Sequence, residues 1–557
     1  MPLQCVRALA FAGAFALAAA AHPQTQPRVP LPGQVEREFT PPPALRAPAP
    51  KLPAAPPVLP GPPPTPDVKL VVREITVEGS TVYSQAELAP YFAPLLGKEV
   101  SLDDIHKLAA DLTARYAADG YFLSRVLVPA QEIEAGRVRL TAIEGYIAQV
   151  RFQGARPEHE GLLDAYAARI RAGRPIRLAA LERYLLLMND LAGVEARSTL
   201  VTSLAGVGAA DLVVDYAFTH ASGQLGGDNR GSRALGPWRV LASGERNSLF
   251  GRYDKTRLFA SSTLNDEQNY VSLFHAQPIG AEGARLALTG WGAWARPDPS
   301  TQGGLSTETT SWSGGLFHFY PVVRSRAVNL TTRFGFVAEG GRTQASGVTV
   351  TDDDLRVVRA GVSLDAVDRF FGSNVVDVEF AQGLNALGAR QTTTVALPVT
   401  TGKNDFTKLA AYAARLQPLD ANWSIFAAVS GQYAFSNVPS LAAFAVGGEY
   451  FGRGYDPSEI VGDSGVSVKL DLQRALGAIG AAALQGYAFY DFGAVYQRDA
   501  FPGQPKRLSL ASAGLGLRVR YRTALYGYVE AAKPLTLTPT LEGDKDPRLY
   551  VGLFWTF

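Results

Sequence analysis

Few residues of this chain could carry out covalent chemistry, and they are scattered. Gly462-Asp463-Ser464-Gly465 contains the residue types that surround the nucleophile of a trypsin-like protease. A serine nucleophile needs a positioned histidine and aspartate. None of the six histidines lies in a matching context, and Val466 occupies the place of an expected second glycine. We therefore interpret this segment as a turn that enters a strand.

Motifs and composition exclude most other chemistries. The histidines lack metal-ligand spacing, and the chain has neither a P-loop nor a dinucleotide fingerprint, so we expect no metal, no cofactor and no enzymatic activity. Cys5 is the only cysteine and lies near the N-terminus, so disulfides and thiolate sites are not expected. A formal net charge of +2 over 557 residues argues against nucleic acid as a partner.

The last twelve residues, DPRLYVGLFWTF, indicate a membrane location. Every second position is apolar, which predicts a strand with one apolar face and an aromatic end; these positions are Leu549, Val551, Leu553, Trp555 and Phe557. A soluble β-sandwich could end in the same way. The pattern favours the closing strand of an outer-membrane barrel, with Trp555 and Phe557 as its C-terminal assembly signal.

The N-terminal region predicts export. Arg7 precedes the apolar residues 8–21, a run too short and too alanine-rich for a membrane helix, so residues 1–21 are predicted to be a secretory signal peptide. Residues 22–67 form a proline-rich periplasmic linker, expected to be extended and without a core. Only residues 34–39 could form a short helix there, and such a helix would sit in the pore as a plug.

Two compact α+β modules are predicted next, each with the order β-α-α-β-β. The first module spans residues 68–145, with strands at 70–77, 121–128 and 137–145 and helices at 84–96 and 102–118. The second module spans residues 146–220, with strands at 148–152, 194–202 and 211–218 and helices at 160–172 and 178–191. Ser84 and Ser101 are candidate N-caps for the two helices of the first module.

Residues 221–557 predict a transmembrane β-barrel of sixteen antiparallel strands, because no later apolar run is long enough for a spanning helix. The strands are predicted to begin near Gly223, Trp238, Asp254, Gln268, Ala284, Glu308, Ala327, Asp354, Asn374, Asp405, Trp423, Gly465, Leu484, Leu508, Ala524 and Pro547. Connections after odd-numbered strands look long and those after even-numbered strands short, with residues 474–483 somewhat longer. Short turns face the periplasm in such barrels, which places both modules there.

This organisation resembles the two-partner secretion transporters, the TpsB family of filamentous-haemagglutinin and haemolysin exporters, whose periplasmic modules are POTRA domains. Three motifs carry the resemblance. Asp228-Asn229-Arg230-Gly231 is similar to the family's barrel-opening motif, with Asp228, Asn229 and Gly231 as the matching positions. Gly452-Arg453-Gly454-Tyr455 resembles its loop motif, although Gly452 replaces the usual valine, and Tyr490-Asp491-Phe492-Gly493 resembles its strand motif.

The resemblance implies that Arg453, Gly454 and Tyr455 anchor a long loop to Asp491 and Gly493 on the barrel wall. A loop that folds into a barrel loses conformational entropy, and a bidentate Arg–carboxylate pair can offset that cost. The alternative is that Arg453 is a solvated loop charge and Asp491 an ordinary polar residue of the lumen.

The function implied is export of an unfolded partner across the Gram-negative outer membrane by type V secretion. The implied partners are a large exoprotein with an N-terminal secretion domain (an adhesin, haemolysin or toxin), outer-membrane lipid and the barrel-assembly machinery. A strand edge or groove of a POTRA domain would bind the exoprotein. The alternative is an assembly factor that inserts other barrels.

Overall fold

The computed structural model describes residues 32–45, 68–154, 161–302, 304–393, 402–500 and 504–557. The predicted signal peptide and most of the predicted linker lie outside these residues. Five α-helices are described: α1 (Gln34–Phe39), α2 (Gln85–Phe92), α3 (Leu102–Ala118), α4 (Gly161–Ala172) and α5 (Leu178–Asn189). None of these helices has the length and apolar character needed to cross a bilayer.

The first module packs α2 and α3 on a three-stranded sheet of order β2-β5-β4. Its strands are β1 (Lys69–Val71), β2 (Glu74–Glu78), β3 (Glu99–Ser101), β4 (Arg125–Leu127) and β5 (Arg137–Ile143). Both predicted N-caps form capping boxes, Ser84 with Glu87 and Ser101 with Asp104. The helix predicted at 84–96 ends earlier as α2, and residues Ala93–Leu95 continue as a 3-10 helix.

Two strand predictions for this module are wrong in extent. The strand predicted at 70–77 is two strands, because the backbone changes partner between them: Val72 N–H donates to Lys98 O and Arg73 N–H to Gly136 O. The strand predicted at 121–128 is reduced to β4, because Ser124 N–H donates to Tyr121 O and closes a turn.

The second module repeats the arrangement with β6 (Tyr146–Gln153), β7 (Val194–Thr202) and β8 (Ala209–Phe218) in the order β6-β8-β7. Strands β6 and β8 are parallel, whereas β7 and β8 are antiparallel. Leu181, Leu185 and Met188 of α5 face the buried core of the module, as the 3.6-residue periodicity predicted.

The barrel closes on itself through sixteen antiparallel strands, as predicted. They are β9 (Ala221–Asp228), β10 (Arg239–Asn247), β11 (Lys255–Thr263), β12 (Gln268–Ile279), β13 (Ala284–Ala295), β14 (Thr307–Arg324), β15 (Val328–Ala345), β16 (Val348–Val367), β17 (Ser373–Gly383), β19 (Thr407–Pro418), β20 (Trp423–Ala434), β23 (Ser464–Ile479), β24 (Ala482–Tyr496), β25 (Arg507–Tyr521), β26 (Leu525–Pro534) and β27 (Arg548–Thr556). A short strand, β18 (Arg390–Thr393), pairs with residues 351–354 of β16. Strands β21 (Phe444–Val446) and β22 (Ile460–Gly462) pair with each other inside a loop.

The connections correct parts of the sequence prediction. Strand β16 begins six residues before the predicted Asp354, because Ser346 and Gly347 both adopt positive φ and join β15 to β16 in a two-residue turn. That connection and residues 264–267 are short although they follow odd-numbered strands. The connection predicted at 474–483 is reduced to residues 480–481, because β23 continues to Ile479.

The expectation that the whole linker lacks packed structure is wrong for residues 32–45. Helix α1 forms at the predicted residues and lies inside the barrel, where Val35 packs against Tyr270 and Ala293 of the inner wall. Arg37 Nη1 donates to the carbonyl oxygens of Ser440 and Ala443, both at 3.1 Å. The linker sequence alone could not show these partners, because they come from the barrel.

The second module is attached to one rim of the barrel by an ion pair and a hydrogen bond. Arg324 at the end of β14 donates from Nε and Nη2 to the Asp190 carboxylate at 2.6 and 2.8 Å. Arg183 Nη2 of α5 donates to the carbonyl oxygen of Glu282, in the turn between β12 and β13, at 3.1 Å. The barrel mouth is therefore held close to the last module.

Candidate functional site inside the barrel

The loop at residues 435–463, between β20 and β23, folds back into the barrel and brings Arg453 with it. Gly452 adopts φ +94°, a conformation that favours glycine. This backbone conformation explains why glycine stands here instead of the valine expected from the resemblance. The Arg453 side chain is only 2 % exposed, although it belongs to the longest connection of the barrel. A solvated loop charge does not describe this residue.

Arg453 and Asp491 are in direct contact on the inner wall. The guanidinium donates from Nε to Asp491 Oδ2 at 2.9 Å and from Nη2 to Oδ1 at 2.7 Å, so the pair is bidentate. The same Oδ2 accepts the backbone N–H groups of Gly452 at 3.2 Å and of Arg453 at 2.9 Å. Asp491 thus fixes the backbone of the loop as well as its arginine.

Two further carboxylates surround the guanidinium. Arg453 Nη2 donates to Asp471 Oδ1 at 2.6 Å, and Nη1 lies 3.7 Å from Glu530 Oε2. The guanidinium carbon lies over the Phe489 ring, 3.6 Å from its centroid. Burial by itself would lower the pKa of Arg453, but the three carboxylates around it raise the pKa above its ordinary value. Arg453 is therefore a permanent cation in a cluster of acids.

The other motif residues shape the contact between loop and wall. Tyr455 is buried, and its Oη donates to the carbonyl oxygens of Ala511 at 3.1 Å and Leu537 at 2.9 Å. A Cβ on Gly454 would lie 2.8 Å from Ser512 Cβ, and one on Gly493 would lie 2.3 Å from Val446 Cγ1. Both glycines thus permit a close approach that a larger residue would block.

The barrel-opening motif lies at the seam between the first and last strands, β9 and β27. Their ladder has only five residue pairs. Asn229 extends it with its side chain, donating from Nδ2 to Leu549 O and accepting from Val551 N–H, both at 2.8 Å. A Cβ on Gly231 would lie 2.5 Å from Gly236 O, so the following turn requires glycine.

Asp228 connects this seam to helix α1. Its carboxylate accepts a bond from Arg239 Nε at 2.7 Å, and the same guanidinium contacts Glu38 of the helix. Glu38 also accepts from Gln268 Nε2 at 2.9 Å. Phe39 stacks on Tyr270 with 4.6 Å between ring centroids. One charge network thus joins the seam to the helix in the lumen.

Arg230, inside the same motif, connects the seam to the loop anchor. It donates from Nε to Tyr528 Oη at 2.8 Å and from Nη2 to Glu530 Oε1 at 2.9 Å, and Glu530 Oε2 faces Arg453. The guanidinium also lies over the Tyr550 ring of the closing strand, 4.6 Å from its centroid. Glu530 is therefore shared by the opening motif and the loop.

Asp456 forms a second attachment of the loop. It accepts a bond from Arg548 Nη1 of the closing strand at 2.8 Å and from the backbone N–H of Arg233 at 3.0 Å. The loop is consequently held on both sides of the seam as well as at Asp491.

Sequence reasoning missed Asp471, Glu530, Arg239 and Asp456. A usable signal existed for the first two, because each carboxylate stands between apolar residues of a strand, as in Leu470-Asp471-Leu472. With alternating faces, such an acid must point into the lumen. The same pattern marks Arg239, which stands between Trp238 and Val240, whereas no comparable pattern identifies Asp456.

The remaining candidates from the sequence are the C-terminal aromatic residues and the Asp463-Ser464 segment, and both have structural roles. Trp555 and Phe557 are exposed on the outer face of β27 with 4.7 Å between ring centroids, whereas Tyr550 faces inward and is buried. Ser464 Oγ accepts the Ala434 N–H at 3.0 Å, and Asp463 accepts the backbone N–H groups of Val438 and Arg498, both at 2.9 Å. The Asp-Ser pair therefore stabilises the start of β23.

Helix α1 and the loop together occupy the lumen and leave a cavity of about 580 Å³ between them and the inner wall. Its wall includes Arg239, Glu339, Arg359 and Lys408 from the strands and Tyr450 from the loop. The cavity is lined by both charged and apolar side chains, and two of the elements that line it are not strands of the barrel. Helix α1 and the loop therefore obstruct the lumen.

The chain is similar to known secretion proteins. The family model described as haemolysin secretion/activation protein ShlB/FhaC/HecB matches residues 212–519, and the ShlB-type POTRA domain model matches residues 70–145. The heme/hemopexin transporter protein HuxB of Haemophilus influenzae is 23 % identical over 475 residues, which cover 81 % of this chain and 80 % of that protein. The hemolysin transporter protein ShlB of Serratia marcescens is 26 % identical over 483 residues, covering 82 % and 80 %.

Solved structures share the fold. CdiB from Escherichia coli superposes with a TM-score of 0.74 at 18 % identity, over 88 % of this chain and 91 % of that chain. BamA from Haemophilus ducreyi lacking POTRA domains 1–3 gives a TM-score of 0.50 at 14 % identity, over 88 % and 100 %. Both similarities concern the fold alone.

Proposed function

Because this chain belongs to the ShlB/FhaC/HecB family of haemolysin secretion/activation proteins, we propose that it exports one large secreted partner protein through its barrel by two-partner secretion. The barrel lies in the outer membrane and the POTRA modules lie in the periplasm, as in the family. The observation that carries the proposal is that the barrel has a lumen, and that this lumen is filled by α1 and by the loop at residues 435–463 and not by side chains of the wall alone.

The two closing elements are held with different strength. Helix α1 has six residues; it contacts the wall through Glu38 and Phe39 and the loop through Arg37. The loop is held by Asp491 and Asp471 of the wall, which bind Arg453, and by its own Asp456, which binds Arg548; all three carboxylates are buried. The helix is held by the buried pair of Glu38 with Arg239, whereas the loop is held by these three ion pairs. Since breaking a buried ion pair costs about 3–5 kcal/mol, we infer that the helix, with fewer of these pairs, is the element that leaves when cargo enters. The loop stays on the wall and shapes the path.

The cargo belongs to the class of large exoproteins, such as haemolysins, that this family exports. We infer that it carries an N-terminal secretion domain, and that adhesins and toxins fit the same pore. The relatives suggest two kinds of cargo, because HuxB is named as a heme/hemopexin transporter and ShlB as a hemolysin transporter. The pore needs no catalytic group for this transport.

We infer two other partners, outer-membrane lipid and the barrel-assembly machinery, from the outer surface of the barrel. The exposed apolar side chains of the closing strand, such as Leu549 and Leu553, contact outer-membrane lipid. The barrel-assembly machinery inserts the chain and uses the aromatic end at Trp555 and Phe557. The alternative function, insertion of other barrels, is less well supported, since the matched family and the curated relatives named above are secretion proteins.

Disruption of the gene tests this proposal. The exoprotein of the same two-partner pair should disappear from the culture medium and return when the intact gene is supplied, while other outer-membrane barrels keep their normal amounts. Normal secretion of the exoprotein, or a general loss of other barrels, would contradict the proposal, and the second result would favour the insertase.

A further inference from the structure

The sheet edges of the first POTRA module are occupied by its own side chains. On β2, Gln85 accepts the Val77 N–H at 3.2 Å and donates from Nε2 to Ile75 O at 2.7 Å. On β4, Thr113 Oγ1 accepts the Val126 N–H at 2.8 Å. Side chains that bond an edge strand remove the groups that another strand would need.

In the sheet of the second module, one edge strand and the first half of the other are protected from pairing with a further strand. Its edge strand β6 has a register shift between Ile147 and Gln149, an irregularity that disrupts further pairing. At the start of β7, Asn189 accepts the Ala196 N–H at 2.9 Å and donates to Ala196 O at 3.0 Å. The later half of β7 has no such contact within the described residues.

The ladder shows which groups of β7 point outward. Thr219 N–H donates to Gly193 O at 2.8 Å, so odd-numbered residues of β7 are the ones that bond to the neighbouring strand β8. Ala196, which bonds to Asn189, has the opposite parity, as this alternation requires. The N–H and C=O groups of Ser198, Leu200 and Thr202 therefore face away from the sheet.

The hairpin loop beyond this edge is apolar. In residues 203–208, Leu204 is fully exposed and Val207 is largely exposed. Two exposed aliphatic side chains beside an open strand edge provide contacts for the side chains of an added strand. At its other end β7 approaches the barrel, where a Cβ on Gly193 would lie 2.9 Å from Asn247 Cβ.

We propose that residues 198–202 of β7 bind an extended segment of the exported polypeptide by strand addition, with Leu204 and Val207 contacting its side chains. This inference rests on the proposed function and assigns its periplasmic recognition to one edge of the second POTRA module. Main-chain bonds make few demands on sequence, so an unfolded polypeptide is a suitable ligand.

Ser198→Pro in the full-length protein tests this edge. Proline removes the outward N–H and places its ring on the edge, but it removes no bond of the ladder, since Ser198 has the outward parity. The probe is a purified N-terminal secretion fragment of the paired exoprotein. Ser198→Pro should weaken its binding about tenfold or more, and Ser198→Ala, the matched control, should bind like the wild type.

Cross-linking provides a second readout if proline disturbs the module. Thr202→Cys, in a Cys5→Ser background without other cysteines, should link to single cysteines placed along the fragment with a period of two residues. Equal binding by the Pro and Ala variants, or links without that period, would overturn the edge assignment. A wild-type protein that neither binds nor exports the exoprotein would instead contradict the proposed function itself.

Discussion

Replacing Arg453 with alanine is expected to release the loop at residues 435–463 from the barrel wall without preventing assembly of the barrel. Arg453 makes its ion pairs with side chains of β23, β24 and β26 but pairs with no strand backbone, so the sixteen-stranded ladder does not depend on it. The variant should therefore reach the outer membrane as a heat-modifiable barrel and fail to export its partner.

The structure gives the size and the asymmetry of the effect. Removing one member of a buried ion pair costs about 3–5 kcal/mol, or roughly 150- to 4,000-fold in the ratio of docked to released loop. Arg453→Ala leaves Asp491, Asp471 and Glu530 without their shared cation. Asp491→Ala leaves Arg453 in contact with Asp471 and near Glu530 but removes the acceptor of the Gly452 and Arg453 N–H groups. The asymmetry therefore lies in which bonds are lost, and both variants should release the loop.

Limited proteolysis of the loop in outer-membrane vesicles measures this ratio, because cleavage of a transiently released segment follows its population. A double-mutant cycle with Arg453→Ala and Asp491→Ala should give a coupling energy of at least about 1 kcal/mol. Arg296→Ala is the matched control. Its pair with Glu308 has a similar 2.7 Å contact, but the side chains are 71 % and 45 % exposed, so its removal should change neither cleavage nor export.

Additive effects of the two substitutions, or normal loop protection in Arg453→Ala, would refute this reasoning. A charge exchange between the two positions is a poor substitute for the cycle, because a carboxylate at position 453 would face Asp471 and Glu530.

Four further predictions follow from other parts of the molecule. Deletion of residues 32–45 should raise single-channel conductance in planar bilayers, since α1 lies in the lumen; an unchanged conductance would mean that the helix does not limit the pore. Burial raises the pKa of Glu36 in α1 to about 7, above the usual value of about 4.3, so docking of the helix should weaken as pH rises from about 4.3 through 7. Conductance should then increase between pH 5 and pH 8, and Glu36→Gln should remove that dependence. Trp555→Arg should reduce the amount of folded barrel, because it removes an aromatic residue of the C-terminal signal and places a charge on the lipid face, which costs about 2–4 kcal/mol at the midplane and less near the interface. Thr556→Arg on the opposite face should be tolerated, and equal amounts of folded barrel in the two variants would mean that the lipid-facing side has been assigned wrongly. Deletion of residues 70–145 should leave a heat-modifiable barrel that exports nothing, and continued export would show that the first module is not required for transport.

Periodicity made most of the fold predictable. Helix α3 coincides with the predicted residues 102–118, because five apolar positions recur on one face and Ser101 caps its start. The sixteen strands follow from the alternation of apolar and polar residues, and the largest error, at β16, occurred where Asp352-Asp353-Asp354 looks like a loop but continues a strand. Local composition misled there, since the long hairpin of β15 and β16 supplies the pairing.

The candidate site was predictable only in part. Arg453 and Asp491 were identified through motifs that resemble a known family, and the structure brings them together. Glu38 and Arg239 lie 201 positions apart, and no local signal in a proline-rich linker indicates that a glutamate will enter a barrel. Long-range charge pairs of this kind depend on tertiary structure, which periodicity does not encode.

The most direct test of the central claim is export with helix α1 fixed to the wall. Phe39 and Tyr270 are in ring contact, so a Phe39→Cys, Tyr270→Cys variant can be joined by a short thiol-specific cross-linker, with each single-cysteine variant as a control. If the partner passes through this lumen, export should proceed before cross-linking, stop in the cross-linked double variant and continue in both treated controls. Undiminished export by the cross-linked protein would show that the polypeptide does not travel through the barrel.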